Sequence, residues 1–114
     1  MLSKTVFERI IDREITAEIV HEDEWCVAFR DIHPQAPVHV LVVPRRPFAS
    51  LDALTEYDEG LAGHLLLVAQ RIAREEGLSE GYRIVVNTGQ HGGQTVDHLH
   101  IHVLGGRPMR WPPG

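Results

Sequence analysis

A single cysteine, Cys26, stands in the 114-residue chain, so no intrachain disulfide can form and no cysteine-rich metal knot can be built. That scarcity fits a reducing compartment. Long apolar runs are missing too: the opening "MLSKTVFERIIDRE" breaks its hydrophobic residues with charge, and no segment approaches membrane-spanning length. We therefore expect a cytoplasmic protein with no membrane partner. Basic surplus is absent as well. Lysine and arginine total 11 against 16 acidic residues, a net charge of −5, and only Arg45 and Arg46 stand side by side. A protein that grips a nucleic-acid backbone shows a basic stripe, so no nucleic-acid partner is expected. If phosphate is handled, a local site must do it.

What is present suffices for one globular domain spanning residues 1–114. Hydrophobic residues make up 43% and charged residues 24%, ordinary values for a packed core under a solvated surface. A chain of this length buries roughly two-thirds of its unfolded surface and needs no metal to fold. No internal repeat or linker interrupts it.

"TVFERIIDREI" carries a helical apolar stripe at Val6, Phe7, Ile10 and Ile11, with Thr5 and Glu8 spaced as a capping box. "AEIVHED" and "EWCVAFRDI" read as strands joined by a hairpin turn at His21–Glu24. "APVHVLVVP" is a third strand, with Val38, Val40 and Val42 on one face and His39, Leu41 and Val43 on the other. A long helix is predicted from about Thr55 to Glu76. Its core-facing rows are Leu61, Leu65, Val68, Ile72 and Ala62, Leu66, Ala69, Ala73, and Gly77 stops it. "YRIVVNTG" and "VDHLHIHVL" are the fourth and fifth strands. One long and one short helix among antiparallel-looking strands give an α+β class, without the strand–helix rhythm of a doubly wound fold.

The densest chemical signal is "HLHIHVL". Three of the eight histidines, His98, His100 and His102, alternate with aliphatic residues. In a strand they share one face at a spacing of about 7 Å, while Leu99, Ile101 and Val103 face the core. Three readings compete: a polar face that happens to use histidine, a metal site, or catalysis by imidazole. The metal reading lacks ligands, since no second cysteine exists and Asp97 points to the opposite face. The catalytic reading gains from the preceding loop "NTGQHGGQT". There Gly89, Gly92 and Gly93 allow positive φ and close approach of backbone amides to phosphate oxygens, and Gln94 and Thr95 offer side-chain donors. It is not a P-loop, because no Gly-Lys-Ser/Thr follows.

"HLHIHVL" resembles the His-φ-His-φ-His-φ-φ motif of the histidine triad (HIT) superfamily. With "FRDIHPQAPVHVLVVPR", "NTGQHGGQTVDHLHIHVLGGR" and the final "WPPG", the chain is similar to the histidine triad nucleotide-binding (HINT) branch from near Val6 to Gly114. The resemblance implies a HIT-like fold with a five-stranded antiparallel sheet, dimerising into a ten-stranded one. It also implies a purine nucleoside phosphoramidase. Such an enzyme hydrolyses the P–N bond of adenosine or guanosine 5′-phosphoramidates, and accepts aminoacyl-adenylates. It releases AMP or GMP through a covalent nucleotidyl-histidine, with no cofactor and no metal.

Carried over by motif, His100 is the nucleophile, and the His98 carbonyl holds its Nδ1 proton. His102 donates to a phosphate oxygen, His39 supports His98 and His100, and Thr95 relays or orients a proton. Asp31 accepts from the ribose hydroxyls; Ile32, Phe29, Val6, Phe7 and Ile10 line the base pocket. Asn87, Gly93, Gln94 and Thr95 match the phosphate-contacting positions. Arg110 and Trp111 fit a C-terminal segment that sets substrate preference across the dimer. Asp97 stands where animal members usually carry tyrosine, so it bears on the dimer or a neighbour rather than on the chemistry. The competing functions are a dinucleoside polyphosphate hydrolase, a nucleotide-binding regulatory module and a zinc-binding protein.

Overall fold

The computed structural model describes residues 3–114. A short helix α1 (Val6–Ile11) is capped as its sequence requires. The Thr5 hydroxyl accepts from the Glu8 amide at 3.1 Å and the Glu8 carboxylate accepts from the Thr5 amide at 3.0 Å. Strands β1 (Ile19–Glu22), β2 (Cys26–Arg30) and β3 (Val38–Pro44) follow, then helix α2 (Glu59–Glu75), β4 (Tyr82–Val85) and β5 (Ile101–Gly105). The sheet order is β1-β2-β3-β5-β4, every pair antiparallel. The fold is therefore the expected α+β, HIT-like one.

Period-two alternation divides the core between the two faces of this sheet. Ala28, Val40, Val42, Ile101 and Val103 meet Leu65, Val68, Ala69 and Ile72 of α2 on one side. Val27, Phe29, Leu41 and Val43 meet Phe7 and Ile10 of α1 on the other. The central β3 is covered on both faces, which is why "VHVLVVP" is so uniformly apolar. Truncating one of its large side chains, Leu41→Ala, is expected to cost about 2–5 kcal/mol. The Arg30 guanidinium ties β2 to the end of α2 through two contacts with Glu76, 2.6 and 3.1 Å long.

Four expected details differ. His21 and Glu22 belong to β1, and the turn begins at Asp23, whose carboxylate accepts from the Trp25 and Cys26 amides. The α-helix starts at Glu59 rather than Thr55. Thr55 instead caps a 3-10 turn, Glu56–Asp58, by sharing hydrogen bonds with Asp58. Leu66 is 51% exposed, so the second helical row does not all reach the core. β5 begins only at Ile101, because the chain bends at Val96–His98 and His98 turns its ring into the protein.

Candidate active site

The register of β3 and β5 sets Leu41 opposite His102 and His39 opposite Leu104, so His39 and His102 are diagonal neighbours on the α1 face. The Gln35 amide lies 3.0 Å from His39 Nδ1. A backbone N–H only donates, so Nδ1 accepts and the His39 proton sits on Nε2. That nitrogen is 2.9 Å from His102 Nδ1 and donates to it, which leaves the His102 proton on its own Nε2. A backbone amide two rings away thus fixes His102 as a hydrogen-bond donor.

A second chain of contacts fixes His100. His98 is fully buried, with Nε2 donating to the Pro44 carbonyl at 2.9 Å and Nδ1 accepting from the Thr5 hydroxyl at 3.1 Å. Its carbonyl accepts from His100 Nδ1 at 2.7 Å. With the proton held there, neutral His100 carries a free lone pair on Nε2. Phe7 packs its ring edge-on against His100 at 4.8 Å, and the His100 and His102 rings lie 4.9 Å apart. One ring offers an acceptor and nucleophile, its neighbour a donor.

Burial favours the uncharged form of three of these rings, His39, His98 and His102. Burial pushes the His98 and His39 imidazoles below their ordinary value. Burial, with His100 and His39 adding to it, lowers His102 to about 4. An uncharged imidazole is the form that can attack phosphorus.

The other expected site residues separate into groups. Thr95 and Asp97 are exposed, and Asn87 is half-buried. Gly89 and Gly93 do adopt positive φ, 72° and 83°. At Gly92 a Cβ would meet the Thr88 carbonyl at 2.3 Å, so only glycine fits there. Gln94 does not offer donors outward. Its amide nitrogen donates to the Ala49 and Val96 carbonyls and its oxygen accepts from the Gly89 amide, which makes it a brace inside the loop. Asp31 Oδ1 accepts from the His33 amide, and Oδ2 lies 3.5 Å from His39 Nε2. Of the expected base pocket, Phe7, Ile10 and Phe29 are core residues because α1 closes over that face. Val6 and Ile32, 43% and 81% exposed, present the apolar surface.

His39 contacts His102 rather than the rings of His98 and His100. The Arg110 carbonyl accepts from Arg83, holding the tail against β4, while Trp111 stands exposed. Two contributors escape sequence reasoning: Gln35, which acts through its backbone, and Thr5, whose capping role gives no sign of its contact with a residue 93 positions away. Among the described residues, two groups of side chains could hold a metal ion, Asp31 with His39 and His102, and His21 with Asp23 and Cys26.

A buried histidine chain on a five-stranded antiparallel sheet, closed by one short and one long helix, defines a protein of histidine-triad architecture. The model of the HIT domain matches residues 12–109, and the chain belongs to the HIT family. It is 60% identical to an uncharacterized HIT-like protein of Synechococcus elongatus, over the whole of both chains. It is 49% identical to the 14 kDa zinc-binding protein of Zea mays, covering 98% of this chain and 89% of that one. Among solved structures, the HIT family hydrolase from Legionella pneumophila superimposes with a TM-score of 0.95 at 45% identity, covering 97% of this chain and all of that one. The histidine triad nucleotide-binding protein from Candida albicans gives 0.82 at 28%, covering 96% and 83%.

Proposed function

We propose that the protein is a purine nucleoside phosphoramidase, hydrolysing the P–N bond of adenosine or guanosine 5′-phosphoramidates and also accepting aminoacyl-adenylates, in which the bond broken is the P–O bond of the acyl phosphate. The observation that carries this reading is the pair of oriented nitrogens, a lone pair on His100 Nε2 beside a proton on His102 Nε2. His100 Nε2 attacks the α-phosphorus, the P–N bond breaks, and the amine leaves with a proton drawn from solvent water and relayed by the Thr95 hydroxyl. The nucleotide stays bonded to Nε2. Water then attacks phosphorus, breaks the P–N bond to histidine and releases the nucleoside monophosphate.

The His98 carbonyl stabilises the imidazolium that forms on His100, as a carboxylate does in a serine-protease triad. His102 and the exposed Thr95 hydroxyl meet the charge developing on the phosphoryl oxygens, because the Gly89, Gly93 and Gln94 amides already donate within the loop. Neutral imidazole needs no metal to expose its lone pair, so the step is assigned none. The hydrolase and nucleotide-binding relatives support the class of reaction. The blocks "QAPVHVLVVP" and "WPPG" support P–N rather than dinucleoside polyphosphate cleavage.

In this reading the working unit is a cytoplasmic homodimer. β4 is an edge strand whose Tyr82 is 41% exposed, and α2 leaves Leu66 and Leu67 uncovered. Pairing of two copies there would extend the sheet, and sedimentation at twice the 12.8 kDa chain mass is expected. Activity is tested with adenosine 5′-phosphoramidate. The native protein should release AMP, and His100→Asn should lose about three orders of magnitude or more. Equal rates would reject His100 as the nucleophile. A nucleotide trapped on residue 100 during turnover is the direct check.

A further inference from the structure

Across the sheet from the histidine chain, four chemistry-bearing side chains that the reaction does not use come together. Cys26 and Ala28 point to the α2 side, and His21 pairs with Ala28, so His21 and Cys26 approach α2 where it carries His64. Asp23, at the hairpin turn, stands between them. Its Oδ2 lies 2.7 Å from His21 Nε2, 2.8 Å from His64 Nε2 and 3.6 Å from Cys26 Sγ. Two imidazole nitrogens and a thiol thus converge on a single carboxylate oxygen.

We propose that His21, Asp23, Cys26 and His64 bind one divalent transition-metal ion of the zinc class. The donor set decides the class. Two imidazoles, one carboxylate and one thiolate suit zinc or cobalt, whereas calcium and magnesium take oxygen donors. Bond lengths near 2.0–2.3 Å put tetrahedral donors roughly 3.3–3.8 Å apart. The donor atoms of His21, Asp23 and Cys26 already lie within 4.8 Å of one another, whereas His64 Nε2, 2.8 Å from Asp23, lies farther than that from at least one of them and must swing in. The two histidine–aspartate contacts must open by about half an ångström, because metal replaces the hydrogen between each pair.

Charge closes as well. The ion's two positive charges meet the Asp23 carboxylate and the Cys26 thiolate, the thiol proton passing to solvent, and each histidine keeps its proton on Nδ1. Arg45, whose Nε donates to the Asp23 carbonyl, is offset by Glu22 at 3.5 Å. His64 also lines a surface pocket of about 450 Å³ between Trp25, Tyr57 and Leu61, which gives an ion a way in. Three ligands lie on the β1–β2 hairpin and the fourth on α2, so the ion would cross-link elements 41 residues apart.

Cobalt(II) titration of the full chain tests this, because it reports tetrahedral geometry and thiolate ligation in its absorption spectrum. One ion per chain with a thiolate-to-cobalt band is expected. His64→Gln, a helix-surface change that leaves the fold intact, should weaken binding by at least about tenfold, the lower end of what loss of even an outer partner costs. Cys26→Ala should abolish the thiolate band, and His102→Ala should leave binding untouched. The proposal is overturned if no ion binds, if the thiolate band is absent, or if His102→Ala removes the ion while His64→Gln does not. None of these readouts depends on the hydrolytic reading.

Discussion

On the α1 face, His39, His98, His100 and His102 take their partners from the Gln35 amide, the Pro44 and His98 carbonyls, the Thr5 hydroxyl and one another. On the α2 face, His21 and His64 both turn to the Asp23 carboxylate. Backbone groups have fixed polarity, so each one decides which ring nitrogen holds the proton. A carboxylate accepts from any N–H and favours positive charge nearby, so it gathers imidazoles and suits a cation. The same residue type therefore supplies a cluster of oriented imidazoles on one face and surrounds an anionic hub on the other.

The sharpest way to break the contrast is to cut the relay from Gln35. His39→Phe keeps the bulk of the ring but leaves the His102 tautomer unset, and kcat for phosphoramidate should fall about a hundredfold. Removing a ring from the other cluster, His21→Gln, should leave kcat unchanged. If both variants fall equally, the two faces are not functionally separate.

Acidification should separate the faces next. An imidazole lowered by folding binds its proton less readily in the native state than in the unfolded chain. Its contribution is complete above the unfolded value near 6.5 and is lost as pH falls through the folded one, about 4 for His102, with His39 and His98 acting in the same direction. At Asp23 burial works against ionisation, but hydrogen bonds from His21, the Trp25 amide, His64 and the Cys26 amide outweigh it and hold the carboxyl well below its usual range. Its contribution persists above about pH 4 and is lost only below that. Melting temperature should thus drop first between about pH 6.5 and 4, and Asp23→Asn should leave that first drop in place. A drop that disappears with Asp23→Asn would assign it to the wrong face.

The smallest effect is expected at Thr5. Thr5→Ala removes the α1 cap and leaves His98 Nδ1 buried without its partner, together costing about 2 kcal/mol in denaturant unfolding. Activity should change less than for His39→Phe, because the His98 carbonyl still holds His100. A variant as stable as the native chain would remove Thr5 from the support of the cluster.

Alternation along "APVHVLVVP" and the helical rows through Leu65, Val68 and Ile72 announce β3, α2 and the face each buries, because period alone determines which side chains share a side. "HLHIHVL" reads as a plain strand for the same reason, yet it bends at Val96–His98. The cause is two contacts made far along the chain, to Pro44 and Thr5. Gln94 misleads in a related way: its amide looks free in sequence, and only the folded loop shows both ends occupied.

By itself the sequence determined the order and type of the main strands and helices, the alternation that gives β3 two apolar faces, and the crowding of imidazoles in one segment, since these depend on local period and residue chemistry. Tertiary structure alone decided which nitrogen of each imidazole carries the proton, and that His21, Asp23, Cys26 and His64 meet at all. Protons on histidine follow their nearest partner, and those partners arrive from β3, α1 and α2 only when the chain closes.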